Sequence, residues 1–529
     1  MKAEIGSVHV GRTLYKKEEM KMKKKIIAVL LSGAMAVGLL AGCGASGGDK
    51  ETGKASGAAK DTQAGSEANQ GEESKKDESA DGEKKAGGGE NVTLKFVQDL
   101  GTDEKANQLT QDIIKAFTDD TGIQVEFESI PTGDYRTWLT TQFSAGEGPD
   151  VYTDILYNIT SDYDSGWLYN FKDLYDKESA YDPGQPWRET LPDSILERME
   201  LPDNVVPGYP SSTSVVRIFC NMDLFEKAGV KKPETWAEFM DACKKLKDSG
   251  TIPFGFPNAT IGDLSWLWFN NSVSSQLDEG LVKELDESGN GYIELGEIAK
   301  GFDEGKIDFT SPQLEKGFDM MKEFSQYWTS DYNGLDQKSA LDMFMRGEVA
   351  MVQALSTNLS QIQDAVGDDF NYEVMPVPVI TKDTSEYAMG KSVILGGQPD
   401  IIYAINKNLE GDNARLEAAI KFVQYMSSPD IQKKFADGIC RIPLANTTKL
   451  PDSLSGFIIT EEPLRMAYYT GINEKLRTYF HRAGQQYLEG GLSTGEFGKM
   501  VNDSYKEVLD EVKAENGWSA ENNYGIVKE

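Results

Sequence analysis

The sequence predicts an α/β fold with parallel strands covered by helices, and three observations predict it. Val92-Thr-Leu-Lys-Phe96 alternates as a strand, Leu109, Ile113, Ile114 and Phe117 mark a helix ending near Gly122, and Ile123, Val125 and Phe127 alternate again. Such a βαβ unit joins parallel strands. The stretch Ser214–Met240 then reads as a strand, a short helix, a Pro turn and a capped helix. Finally, 529 residues are too many for one core and suit two or three domains.

Composition removes several classes of function. A formal net charge of −32 repels nucleic-acid phosphates. The two histidines, His9 and His481, leave little room for His-dependent acid–base, triad or zinc chemistry. Four scattered cysteines make neither a disulfide scaffold nor a zinc cluster. Cys220, Cys243 and Cys440 read as buried thiols, with one bridged pair as the alternative.

In chain order, Met22-Lys-Lys-Lys starts a secretory leader. Its apolar run, Ile26 to Ala41, is short for a membrane span, which needs about 20 residues. Leu40-Ala-Gly-Cys43 resembles the bacterial lipobox, which implies lipidation of Cys43 and an extracytoplasmic protein anchored to the outer face of the cell membrane. A plain signal peptide with a chance Cys is the alternative. Residues 1–19 do not look like part of a leader, so translation is expected to start at Met20 or Met22, with 20–43 as leader and lipobox. Residues 44–90 are Gly, Ser, Ala, Lys, Asp and Glu with no aromatic, and read as a disordered tether.

Beyond the opening βαβ unit, Gly148-Pro-Asp150 precedes a third strand. Val215–Cys220 is an apolar strand bounded by the Ser/Pro-rich YPSSTS before it and Asn221 after it. Leu224, Phe225 and Ala228 share a helix face, with Gly229 placed as the stop. Pro233 breaks the chain, and Thr235 with Glu238 forms a capping box. The helix so opened buries Trp236, Phe239, Met240 and Cys243. Later, Leu416, Ala419, Ile420 and Val423 make a helix, and Ser428 caps the next one with Pro429 at its first position.

The wording F-x-N-x-D-L-F-E-K-A-G-V-x-x-P-x-T-W-x-E-F, from Phe219 to Phe239, closely resembles the signature of the extracellular solute-binding proteins of ABC importers, in the branch that binds sugars and oligosaccharides. The resemblance runs from about Val92 to the C-terminus. It is dense at residues 117–128, 142–152 and 344–351, at Pro376-Val-Pro and at Gly396-Gly397. It implies a two-lobed, periplasmic-binding-protein-like α/β fold, each lobe a mainly parallel sheet flanked by helices, with a hinge and a ligand cleft between. Residues 91–212 plus 392–438 would form lobe I, and 213–391 plus 439–529 lobe II.

The implied function is hinge closure around a carbohydrate, an oligosaccharide first, and its delivery to ABC permease subunits by a non-enzymatic monomer. The alternatives are a binder of another polar or anionic solute, such as a sugar phosphate, and a surface glycosidase. Maltose-binding relatives carry an acidic residue where Ser214 stands and a Trp where Ser356–Asn358 stands, so maltose itself is not implied.

The family binds ligand where loops follow strands, and sugars want hydroxyl partners and flat rings. The ligand-binding candidates are Gln98, Asp99, Asp154, Tyr157, Asn158, Ser212, Ser214, Trp266, Trp268, Asn358, Gly396 and Gly397. Asp99 and Asn158 read equally as turn caps. Trp266 and Trp268 read equally as core, their i, i+2 spacing suggesting one of each. Trp167, Trp187 and Trp236 read as core, and Tyr479 and His481 as helix packing or surface.

One further motif concerns a metal. Residues 286–297 fit the twelve-position EF-hand loop, with Asp286, Ser288 and Asn290 at positions 1, 3 and 5 and Gly291 at the sharp turn. Tyr292 offers its carbonyl at position 7, Glu294 stands at 9 and Glu297 at 12. The expectation is a structural Ca²⁺ of modest affinity; a solvated acidic turn is the alternative.

Overall fold

In the computed structural model, which describes residues 92–100, 103–201, 205–469 and 472–528, the chain forms one long sheet flanked by two large hydrophobic cores and a third, smaller one. The leader, Cys43 and the tether lie outside the described residues, all of which belong to the unit Lys85–Glu529.

Strands β1 (Thr93–Gln98), β2 (Gln124–Ser129) and β3 (Val151–Asp154) are parallel. Helix α1 (Glu104–Thr121) connects the first two. It opens on the Asp103 carboxylate, which accepts the Ala106 amide, and closes on Gly122 at φ 76°, a conformation only glycine adopts cheaply. Helices α2 (Thr132–Ala145), α3 (Leu156–Asp164) and α4 (Asp193–Met199) follow. Strand β4 (Tyr209–Asn221) then runs out of this region, and β5 (Ile252–Gly255), β6 (Val349–Leu355) and β7 (Tyr372–Met375) belong to the second. Strand β8 (Gly396–Ile405) returns, and β9 (Ile442–Pro443) adds a short edge. The order is β2-β1-β3-β8-β4-β6-β5, with β7 and β9 also pairing β4.

Strand β4 is longer than the apolar run predicted. It takes in YPSSTS because β8 lies antiparallel to it there, with Thr213 opposite Pro399 and Tyr209 opposite Tyr403. Its apolar half pairs with β6 and β7 instead. Val216, Ile218 and Cys220 face one core while Val215 and Phe219 face another, so the strand is apolar on both sides. Parallel pairing prevails among β1, β2 and β3; in the second region β5–β6 is parallel but β4–β6 and β4–β7 are antiparallel, giving a mixed sheet.

The first core gathers Phe96, Phe117, Tyr152, Trp187 and Phe422; the second gathers Trp236, Phe239, Phe254, Phe324 and Tyr469. The capping box of Thr235 and Glu238 is present, opening the helix Trp236–Asp248. Pro429 takes the first turn of its helix as expected, but the Ser428 hydroxyl donates to the Tyr425 carbonyl at 2.7 Å and caps nothing. Cys220, Cys243 and Cys440 are buried free thiols. Among the described residues no helix is long and apolar enough to cross a membrane.

Candidate functional site

The strands that join the two cores also gather polar side chains. On β4, the Ser212 hydroxyl donates to Asp400 Oδ1 at 3.3 Å and the Ser214 hydroxyl to Oδ2. Thr213 Oγ1 reaches the Gln398 carbonyl at 2.7 Å. Burial raises the Asp400 pKa, the Ser214 hydroxyl and the charge of Arg441 opposing it. Asp400 escaped the sequence reading because nothing local marks it; only the pairing of β8 with β4 brings it to the serines. The register there slips between Gly396 and Ile402, and Gly396 makes the close approach possible. At φ 82°, a Cβ on it would sit 2.5 Å from the Ser214 carbonyl oxygen.

A second cluster stands at the C-terminal ends of β1 and β3. Ile402 pairs with Asp154, so Asp400 lies two residues further along β8 toward the crossing. Asp154 is a hub: Oδ1 accepts the Ile155 amide and the Asn158 amide group, each at 2.8 Å, and Oδ2 accepts Arg136 at 2.8 Å. Arg136 also grips buried Asp162, which takes the Tyr152 hydroxyl at 2.6 Å. Burial raises the Asp154 pKa against these hydrogen bonds. With its carboxylate so engaged, Asp154 positions Asn158. Tyr157, on the first turn of α3, leaves 80% of its surface exposed. Gln98 is fully buried, and among the described residues its side-chain amide has no hydrogen-bond partner.

The remaining candidates separate. Trp266 is corrected to core: it is 0% exposed, lies 6.0 Å from Tyr469 and 5.8 Å from Phe497 between ring centroids, and presses on Gly484. Trp268, two residues on, is half-buried. The side-chain carbonyl of Asn358 accepts the Leu355 amide at 3.1 Å, ending β6. Trp187 and Trp236 are core, and Trp167 stacks on Phe143 at 5.0 Å. His481 is buried while Tyr479 is 47% exposed. Two features had no sequence signal: the buried ion pair of Arg217 with Glu461 at 2.7 Å, and the exposed Ile458 and Ile459 beside it.

The 286–297 loop runs between helices Glu279–Leu285 and Leu295–Asp303, with Gly289 and Gly291 at positive φ. Asp286 accepts the Gly289 and Gly291 amides. Glu297 is buried; its Oε1 accepts the Glu287 and Ser288 amides and its Oε2 the Glu294 amide, all within 2.8 Å. Among the described residues no group of three or more His, Cys, Asp or Glu is placed to hold a metal ion. The loop also touches one helix of the other core. The Arg198 guanidinium of α4 lies 4.4 Å over the Tyr292 ring.

Two cores bridged by antiparallel strands, with polar side chains at the bridge, define a two-lobed binding-protein fold, and solved structures agree. A chitin oligosaccharide binding protein matches 80% of this chain and 100% of its own, at TM-score 0.61 and 19% identity. RafE from Streptococcus pneumoniae in its apo form does so at the same score, coverage and identity. The profile of the bacterial extracellular solute-binding proteins matches residues 101–433, and the chain belongs to that family. Among curated relatives, the sn-glycerol-3-phosphate-binding periplasmic protein UgpB of Brucella abortus (strain 2308) is 27% identical over 187 residues, 35% of this chain and 39% of that protein. Its counterpart in Agrobacterium fabrum is 23% identical over 269 residues, 50% and 54%. The chain thus spans between about two-fifths and about half of the length of these relatives.

Proposed function

We propose that this protein is a carbohydrate receptor of an ABC importer: it captures an oligosaccharide between its lobes, closes, and presents it to the permease subunits without chemical turnover. The observation that carries this reading is the crossing cluster of Ser212, Ser214 and Asp400, together with exposed Tyr157 on the helix that follows β3. Hydroxyls and a carboxylate suit sugar hydroxyl edges, and an exposed ring suits a sugar face. The oligosaccharide- and raffinose-binding structural neighbours support it. Cys43 is the proposed lipid anchor, holding the receptor as a monomer at the outer face of the membrane. The test is a thermal-shift and calorimetric screen of saccharides on protein made without its leader, followed by solution scattering. A binder raises the melting temperature by mass action and compacts the protein. Release of cleaved glycan, or no compaction with a confirmed ligand, sinks the reading.

A sugar phosphate is the second reading, favoured by the glycerol-phosphate-binding relatives and by Arg441 near Asp400. Its mark is retention of affinity only when the phosphate is present.

Calcium at the 286–297 loop is a separate proposal, resting on its donor set. Asp286, Ser288, Asn290, the Tyr292 carbonyl, Glu294 and Glu297 offer only oxygen, the chemistry of a hard cation. Glu297 spends both oxygens on backbone amides here, so the decisive measurement is metal-dependent. Added Ca²⁺ should raise the melting temperature, and Glu297→Gln should remove most of that rise. A melting curve indifferent to Ca²⁺ and chelator leaves Glu297 as a loop staple only.

A further inference from the structure

A cavity of ≈ 210 Å³ lies in the second lobe, between residues 275–291, the 389–393 segment and residues 462–465; none of the crossing-strand candidates lines it. At roughly 30 Å³ per water it has the room of about seven, enough for a small organic molecule and not for an oligosaccharide.

Most of the charges that line it are already matched. Lys391 pairs with Glu462 at 2.5 Å, and Lys283 has a partner of its own. Arg465 donates to the Gly291 carbonyl at 2.8 Å and lies 3.8 Å from Glu462. Asp286 accepts the Gly289 and Gly291 amides. Asp278 is different. It is 3% exposed, and although it stands at the N-cap of the helix Glu279–Leu285, its side chain caps no amide. The Tyr468 hydroxyl donates to it, and among the described residues no cation pairs with it. A buried carboxylate without a countercharge is costly, and burial pushes this carboxyl up to about 7. Ser275, three residues earlier, also lines the cavity. It is 5% exposed, and its Oγ has no hydrogen-bond partner among the described residues. Val282, Met389 and Val393 supply apolar wall.

We propose that this cavity is a second binding site, for a small primary amine, with its ammonium against the Asp278 carboxylate and the Ser275 hydroxyl and its alkyl chain along Val282, Met389 and Val393. An ammonium carries three donors and no acceptor, so one group supplies both the countercharge that Asp278 lacks and a donor for the idle Ser275 oxygen. An anion of equal size sets a second negative charge against Asp278, and a neutral alcohol leaves the carboxylate uncompensated. A divalent metal is disfavoured because, among the described residues, no group of three or more His, Cys, Asp or Glu is placed to hold one. The site is separate from the crossing cluster, so it does not depend on what the cleft binds.

The experiment is calorimetric titration of the leaderless protein, in amine-free phosphate buffer, with ethylammonium and n-butylammonium. Butan-1-ol, butyrate and potassium chloride are the neutral, anionic and inorganic-cation controls. At least one amine should bind at a single site and the controls should not. In weakly buffered solution at pH 6.5 the same titration should release most of one proton per bound amine, because the ammonium holds Asp278 in its ionised form. Asp278→Asn should weaken the amine at least tenfold, the loss of a charged hydrogen bond, and abolish the proton release. Ser275→Ala tests the same end if Asp278→Asn does not fold, folding being judged by circular dichroism, and should weaken the amine about fivefold. No amine binding at millimolar concentration, equal binding of butan-1-ol or potassium, binding without proton release, or affinity unchanged in the folded variants overturns the proposal.

Discussion

At the scale of single residues, Asp278 and Asp400 show how burial changes a carboxyl. Asp278 titrates at about 7 when folded, against roughly 3.9 for an unfolded aspartate. Between those values the native chain keeps a proton that the unfolded chain has released. Stability therefore falls as pH rises through that window, and the whole penalty is present above it. Asp278→Asn should remove this slope. In denaturant titrations from pH 4.5 to 8, the variant gains on the parent as pH rises and the gap levels off above about 7. Parallel profiles would refute this. Asp400 has its pKa raised for the same reason, but its serine donors and Arg441 offset part of the cost. Neither residue stands out in the sequence, where an aspartate among 86 acidic residues carries no mark of burial. Trp266 makes the same point for apolar groups. Two tryptophans two positions apart differ only in which one Tyr469 and Phe497 enclose.

At the scale of elements, the helices follow local chemistry and the crossing strands do not. Thr235, Glu238, Gly122 and Pro429 act through groups within one turn of themselves, so their roles are legible as spelling. Strand β4 begins six residues earlier than its apolar run because hydrogen bonds to β8 hold YPSSTS extended. Gly396 is the residue on which that pairing turns. Gly396→Ala meets both a positive φ and the Ser214 carbonyl, and should cost about 1–3 kcal/mol, read as a lower melting temperature. Gly280→Ala, in a helix with open space around the new methyl, should instead stabilise by about 0.5 kcal/mol. Equal effects at the two sites would show that strain at the crossing is not what Gly396 relieves.

At the scale of the whole molecule, the contact between Arg198 and Tyr292 joins a helix of the first core to the loop of the second. Burial lowers the Arg198 pKa while Tyr292 and Glu294 favour its charge. A cation–π contact of this kind contributes about 1 kcal/mol. Arg198→Ala should therefore shift lobe closure roughly fivefold toward the open form, seen as a larger scattering radius and a faster ligand off-rate. Unchanged scattering and off-rate would mean that the lobes close without this contact.

The chain's own spelling determined the family, the βαβ opening, the Thr235–Glu238 capping box and the class of ligand sought, because each rests on short-range patterns: periodicity, turn chemistry and a run of matched words. Tertiary structure alone decided that Asp400 meets Ser212 and Ser214, that Arg217 pairs with Glu461, and that Trp266 is enclosed. It also decided that Glu297 spends its carboxylate on its own loop. Those partners are separated by up to 244 residues or depend on how one loop closes, and their meeting is set by strand register and packing. Neither register nor packing is written in any local stretch of the sequence.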